Sequence, residues 1–297
     1  MRPLFVVLAV QLVVAVVFVL LIATGSLPFV NDDDPAGGTA KPGGANRFDG
    51  PAAFRLLEMQ LSYGPRPAGS AQSRKLAARL RTLLPNGRFQ PVPGGLRNIV
   101  GTVPGKDGKR FVVVGAHYDS KDMPGFLGAN DGASGTAAVV QLARRLEPRT
   151  IGPTVKFVLF DGEESPRGTP ENQFARFGLR GSKVAAREFK DAEAMILLDF
   201  VGDKELSLRR EGTSHIGLWT RLRGAAAKAG VGSYFPEAIG TSIEDDHTPF
   251  LERGVPSIDL IDWDFPCFHK TCDNLSAISE KSLDASGEAV AGLLATL

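Results

Sequence analysis

Three carboxylates among four positions, Asp161-Gly162-Glu163-Glu164, follow directly on four apolar residues, Phe157-Val158-Leu159-Phe160. A charge taken out of water is costly unless it is paired or bound to a metal, so this change marks a strand whose tip delivers acids to a cleft. Glu163 and Glu164 are adjacent, so on an extended or tight turn their side chains diverge: one can bind metal while the other moves protons. The pattern recurs, with His117 and Asp119 after FVVVGA and Asp199 at the end of AMILLD. Unpaired burial of Asp199 would be costly, which implies either coordination or a hydrogen bond to a protonated acid.

Asp131 lies in GANDGASG, just before a run of small residues. An N-cap role competes with ligation there, while the flanking glycines and Ser134 permit close packing of metal and substrate around the carboxylate. Of the four histidines, His117 sits among the acids, IEDDHTPFLERGVP brings Asp245, Asp246 and His247, and DFPCFHKTCDN brings His269. One or more of these should join the cluster. His215, at the start of an amphipathic stretch, receives no role. Aspartate, glutamate and histidine without thiolates suit zinc in a catalytic site with an open position, and cobalt or manganese accept the same donors.

The elements that must position these groups read as an alternation. Phe54 to Leu61 and Ser73 to Leu84 have helical periodicity, with the turn-rich YGPRPAGS between them. LRNIVGTV and FVVVGAH read as two adjacent strands across a GKDGK turn. Gly132 to Leu146 predicts a helix, TVKFVLF a strand, GSKVAAREF a helix, AMILLDFVG a strand, HIGLWTRLRGAAAKA a helix, VPSIDLI a strand and KSLDASGEAVAGLLATL a closing helix. Continuous apolar strands separated by helices predict an α/β fold: a central mixed, largely parallel sheet with helices on both faces. In such sheets ligands collect at the carboxyl ends of the strands, where the polar clusters of this chain fall.

At 297 residues, 43% hydrophobic, the chain can bury a sizeable core in one catalytic domain, expected over 49–297. Pro3 to Ala23 is almost wholly apolar, broken only by Gln11, and about 20 such residues match a bilayer core. Residues 1–26 therefore read as an uncleaved anchor or a cleaved signal, either of which places the rest outside the cytoplasm, with membrane contact through this segment if it stays. Residues 27–48 read as a flexible linker rich in Asp, Gly, Pro and Lys. A formal net charge of +1 with interspersed signs gives no electrostatic case for nucleic acid. Cys267 and Cys272 are the only cysteines; an oxidising compartment permits a local disulfide, and two free thiols are the alternative.

Together AHYDS, NDGASG, FDGEE, LLD and the late histidine resemble the site of the zinc aminopeptidase and glutaminyl cyclase superfamily, in the same chain order, from about Ala52 to the end. The resemblance implies a three-layer zinc-exopeptidase sandwich in which Asp131, Glu164 and His269 bind zinc and Glu163 is the general acid/base. In its two-zinc aminopeptidases, His117 and Asp199 would complete a second site, with Asp131 bridging. HYDSK, LRGSK, LLDFVG and especially DDHTPFLERGVP resemble the glutaminyl cyclase branch, in which Asp199 and Asp245 belong to a hydrogen-bond network around the catalytic glutamate. Phe268 and His247 would lie at the substrate pocket. Animal-type cyclases usually carry tryptophan just before the ligand histidine, where this chain has Phe268, and RGTPENQFARF replaces an aromatic substrate-side loop.

Two chemistries follow from one shell, both acting on peptide or protein N-termini. Cyclisation of N-terminal glutamine with release of ammonia needs one zinc; aminopeptidase hydrolysis needs two. A binding module that kept the fold and lost the chemistry is a third reading, disfavoured because both acids of the GEE pair and all candidate ligands are present.

Overall fold

Strand burial decides the architecture. In the computed structural model, which describes residues 47–297, the central strands are buried on both faces, with alternate residues feeding two separate cores. Two helices come first, α1 (Gly50–Leu61) and α2 (Ala71–Leu83). Each starts at a side-chain cap: Asp49 accepts from the Ala52 amide, and Ser70 from the Ser73 amide. Such caps satisfy amide donors that the first turn leaves without partners. The strands β1 (Arg88–Val92), β2 (Leu96–Val103) and β3 (Asp107–His117) follow, then α3 (Ala133–Arg145) and β4 (Pro153–Phe160). Beyond them lie the one-turn α4 (Phe174–Phe177), α5 (Arg180–Glu188), β5 (Met195–Leu198) and α6 (Ile216–Ala229). The one-turn α7 (Thr248–Leu251), β6 (Ser257–Leu260) and α8 (Glu280–Leu294) close the chain.

These strands form one mixed sheet in the order β1-β2-β4-β3-β5-β6. The pairs β4/β3, β3/β5 and β5/β6 are parallel, and β1/β2 and β2/β4 antiparallel. The fold is therefore the expected α/β sandwich. β2 and β3, however, are not neighbours: β4 lies between them, because β2 and β3 both take β4 as their partner. β1, a short edge strand, escapes the sequence reading, since Pro91 removes a ladder donor and mimics a loop.

Val112, Val114, Phe157, Leu159, Ile196 and Leu198 point into the larger core with residues of α1, α2, α3, α6 and α8. Val113, Val158, Phe160, Met195 and Leu197 point the other way, against Ala185 and Ala186 of α5 and Phe250 of α7. The period of two along each strand thus assigns each side chain to a face. Close approach matters where α3 crosses the sheet: a Cβ on Gly135 would lie 2.0 Å from the Leu198 carbonyl oxygen. Glycine there lets α3, which follows Asp131, sit directly against β5, the strand that ends just before Asp199.

Phe48, left in the linker by the sequence reading, is buried against Gly287 of α8. The expected anchor or signal at 1–26 lies outside the described residues. Among those described, no helix is long and apolar enough to cross a membrane.

Candidate active site

Three parallel strands end side by side, and their tips bring the acids together. β3 terminates at His117, β4 at Phe160 just before the Asp161–Glu164 turn, and β5 at Leu198 just before Asp199. The Asp161–Glu164 turn is held from beneath. Gly162 has φ +76°, and the Asp119 carboxylate accepts the amides of Gly162 at 3.0 Å and of Glu163 and Glu164 at 3.3 Å. One buried carboxylate therefore fixes the backbone that presents both glutamates. Asp131 is fixed likewise: Asp273 accepts the amides of Asn130 at 2.7 Å and Asp131 at 3.1 Å.

Within this frame His117 Nε2 lies 3.2 Å from Asp131 Oδ1 and 3.4 Å from Asp199 Oδ1. His269 Nε2 lies 3.5 Å from Asp131 Oδ2 and 3.6 Å from Glu164 Oε1. Two groups result, His117/Asp131/Asp199 and Asp131/Glu164/His269, each with donor atoms within 4.8 Å of one another. Asp131 belongs to both and turns one oxygen toward each. Both ring nitrogens of His117, Asp131 Oδ2 and Glu164 Oε1 are buried without a hydrogen-bond partner. Buried polar atoms are normally satisfied, so this convergence of orphaned nitrogen and oxygen donors fits a zinc ion in either group.

The electrostatics agree. Burial opposes charge on His117, yet the carboxylates of Asp199 and Glu163, with Asp119 and Asp131, raise its pKa well above the ordinary imidazole value. Burial raises the carboxyls of Glu163 and Asp245 well above their usual range, the latter with help from the charge of Asp199. Glu164 goes the other way: burial pushes it up, but the His269 ring and the Lys121 ammonium, 3.0 Å from Oε2, hold it low. Adjacent glutamates thus part, one kept as an anion and one disposed to hold a proton.

The cluster opens into a cavity of about 520 Å³ lined by Asp131, Glu163, Glu164, Asp199, Asp245 and His269 on its floor, with Phe174, Phe200, Ile243, Trp263 and Phe268 as apolar walls. Phe268 stacks on the His269 ring at 3.8 Å between centroids, and Trp263 lies 4.8 Å from Phe268. His247, expected at the pocket, does not line it. It is fully buried, its Nε2 2.9 Å from the Thr213 hydroxyl and 3.3 Å from Glu211, its Nδ1 3.6 Å from Asp259. An imidazole at the start of α7 faces the protein interior, its Nε2 bonded to the Thr213 hydroxyl and its Nδ1 without a hydrogen-bond partner. Asp246 is likewise buried, with burial raising its pKa to about 7.

Sequence reasoning also missed three residues that build the site. Arg66, from the YGPRPAGS turn, is completely buried and donates to the carbonyls of Tyr118, Leu127 and Gly128. Asp273 and Trp263 carried no motif signal, and only the chain's path shows what they touch.

This arrangement has relatives. The chain matches Peptidase family M28 over residues 98–294, more than half of its length. It belongs to peptidase family M28. Among curated proteins it is 32% identical over 213 residues to aminopeptidase YwaD of Bacillus subtilis (strain 168), covering 65% of this chain and 43% of that protein. It is 30% identical over 234 residues to the glutaminyl-peptide cyclotransferase of Drosophila melanogaster, covering 65% of this chain and 63% of that protein. The M28 chain thus spans less than two thirds of either. Solved structures agree more fully: a glutaminyl cyclase from an Acidobacteriales bacterium superposes with TM-score 0.72 at 28% identity, covering 88% of this chain and 97% of that one. The Tannerella forsythia glutaminyl cyclase gives 0.75 at 26% identity, with 84% and 99% covered. A leucine aminopeptidase precursor from Bacteroides thetaiotaomicron gives 0.74 at 26%, with 84% and 98% covered.

Proposed function

We propose that this M28 protein is a zinc-dependent glutaminyl-peptide cyclotransferase, converting an N-terminal glutaminyl residue to a pyroglutamyl residue with release of ammonia. Asp131, Glu164 and His269 would hold the zinc, which supplies Lewis-acid polarisation of the side-chain amide carbonyl when bound. Glu163 accepts a proton from the terminal amine as the amine nitrogen attacks the side-chain carbonyl carbon. It then delivers a proton to the departing amide nitrogen, which leaves as ammonia. A carboxyl whose pKa is raised by burial suits both steps. Because the nucleophile is tethered to the electrophile, orientation within the cavity replaces activation of a water. Phe268 and the half-exposed Trp263, at 42%, offer an apolar wall for the substrate's first two residues.

One observation carries the choice of cyclisation. Asp245 is buried at the floor of the cavity beside Asp199, its Oδ2 without a partner and its pKa raised. With Oδ2 free and its carboxyl disposed to hold a proton, Asp245 would donate to Asp199 and draw it into a hydrogen-bond network around Glu163, which a ligand role would not require. Hydrolysis by a dinuclear site is the second reading, favoured by the His117/Asp131/Asp199 group.

The deciding experiment offers the full chain a glutaminyl peptide and a leucyl arylamide, with zinc counted per chain. Ammonia release with the peptide bond intact, at one zinc per chain, supports cyclisation. Arylamide cleavage at two zincs per chain refutes it.

A further inference from the structure

His269 differs from the other proposed ligands in how little holds it. His117 ends a central strand, Asp131 is fixed through Asp273, and Glu164 rests on Asp119. His269 sits in a chain of turns between β6 and the short helix at Leu275, with its backbone at φ +49°. Residues bearing a β-carbon enter that left-handed region only at a cost. Local hydrogen bonds are the backbone support of this turn: Phe268 amide to Phe265 carbonyl at 3.2 Å, Lys270 amide to Cys267 carbonyl at 3.0 Å and, on its far side, Asp273 amide to Lys270 carbonyl at 2.9 Å.

One covalent feature brackets the turn. Cys267 and Cys272 are joined in a disulfide, with Cα atoms 5.4 Å apart, enclosing Phe268-His269-Lys270-Thr271. The end at Cys272 is the anchored one. The next residue, Asp273, is buried, its carboxylate takes the amides of Asn130 and Asp131, and its carbonyl takes the Ala129 amide at 3.4 Å. The disulfide carries that anchorage across the turn to Cys267, immediately before Phe268, whose ring stacks on His269. An unbroken path therefore runs from the Asp131 loop through Asp273, Cys272 and Cys267 to the His269 ring.

We propose that Cys267 and Cys272 are positioning residues for the zinc site: their disulfide holds His269 in its left-handed conformation against Asp131 and Glu164, and opening it weakens zinc binding. The inference rests on the ligand assignment given under Proposed function. Opening consumes two electrons and two protons from an external dithiol, which is itself oxidised to a disulfide, and leaves two thiols on the chain. Zinc retention thereby becomes sensitive to the thiol balance of the surroundings, since Cys272 is exposed and Cys267 partly so.

The test is a cycle of variants of the full chain, with zinc affinity read by competition against a chromogenic chelator. Cys267→Ser/Cys272→Ser should lower zinc affinity by roughly 10- to 100-fold, the range for groups that orient metal ligands. In a His269→Ala background the same pair of substitutions should change affinity less than about threefold, because no ring remains to be positioned. A disulfide that only stabilises the fold would lower the melting temperature of the zinc-free protein and act equally in both backgrounds. That result, or a change below about threefold in the natural background, overturns the proposal. Should the serine variant not fold, folded protein opened with a phosphine reductant is measured in its place, against the same thresholds. Because the readout is zinc binding, a chain that shows the coupling yet releases no ammonia from glutaminyl peptides would refute the cyclase reading and leave this inference standing.

Discussion

Replacing Arg66 by methionine should damage the protein more than any surface cation can. The guanidinium is fully buried and donates through Nε to Tyr118 at 3.1 Å, through Nη2 to Gly128 at 2.8 Å and through Nη1 to Leu127. Burial lowers its pKa to about 10, with Asp131, Asp273 and Asp119 opposing that fall, so it remains a cation at neutral pH. Methionine fills much of the volume but leaves the Tyr118 and Leu127 carbonyls without that donor, while the Gly128 carbonyl keeps only the longer bond from the Ala133 amide at 3.4 Å. Hydrogen bonds to a charged group contribute about 1.5–3 kcal/mol each, but they are not additive and the cation's own desolvation is recovered. Removing one side of a buried charged arrangement costs about 3–5 kcal/mol net. For a domain of this size that lowers the melting temperature by roughly 6–20 °C. Because the three carbonyls lie between His117 and Asp131, zinc affinity should fall too. Thermal unfolding of the zinc-free protein and chelator competition check the two parts. Arg66→Met melting within about 2 °C of the natural protein, with zinc affinity unchanged, would refute the claim that this residue braces the ligand segment.

Glu163→Gln should lower cyclisation by about 10²- to 10⁴-fold, the usual contribution of a general acid/base, while zinc content measured by metal analysis stays constant. Trp263→Ala should raise KM roughly threefold to tenfold for glutaminyl peptides with an aromatic second residue and leave peptides with glycine there nearly unaffected, as steady-state ammonia release would show. Glu211 supplies the pH test. Burial opposes its ionisation, but His247 and the amides of Thr213 and Ile243 lower its pKa from 4.5 to about 2. A carboxyl depressed on folding contributes stability that is complete above its unfolded value, near 4.5, and is lost as pH falls toward 2. Glu211→Gln should therefore be less stable than the natural protein by about 1–3 kcal/mol at pH 7, and urea unfolding should find that gap closing between pH 4.5 and 2.

Much of the frame was legible because it rests on short-range rules. Short apolar runs such as KFVLF and MILL, bounded by polar and turn residues, fit strands buried on both faces, and a carboxylate at the end of each then falls at the sheet's carboxyl edge. That logic brings Glu163, Glu164 and Asp199 to one place, whereas Asp131 stands before a helix and was legible only from the glycines and small residues around it. Strand order was not legible, because nothing in LRNIVGTV or FVVVGAH specifies that each pairs with β4 and neither with the other. His247 misled for a related reason: its neighbour Asp245 does face the cavity, but the ring itself turns inward to Glu211 and Asp259, which are distant in sequence.

What stayed hidden is the layer beneath the ligands, and its chemistry explains why. Asp273 and Arg66 carried no signal, and Asp119 was legible as a strand-end acid but not as a support; all three bind backbone amides and carbonyls of the loops that carry His117, Asp131 and the glutamate pair. Backbone donors and acceptors are common to every residue type, so a side chain that serves them leaves no mark on the partner's sequence. The proposed ligands of this M28 protein could be found because their own residue types carry chemistry. Their supports could be found only by following the hydrogen bonds. The same asymmetry bears on mutation: changing a ligand removes one donor, whereas changing Asp273 releases the amides of Asn130 and Asp131 together and detaches the loop that the Cys267–Cys272 bridge leans on. A supporting carboxylate can therefore cost the site as much as a ligand does.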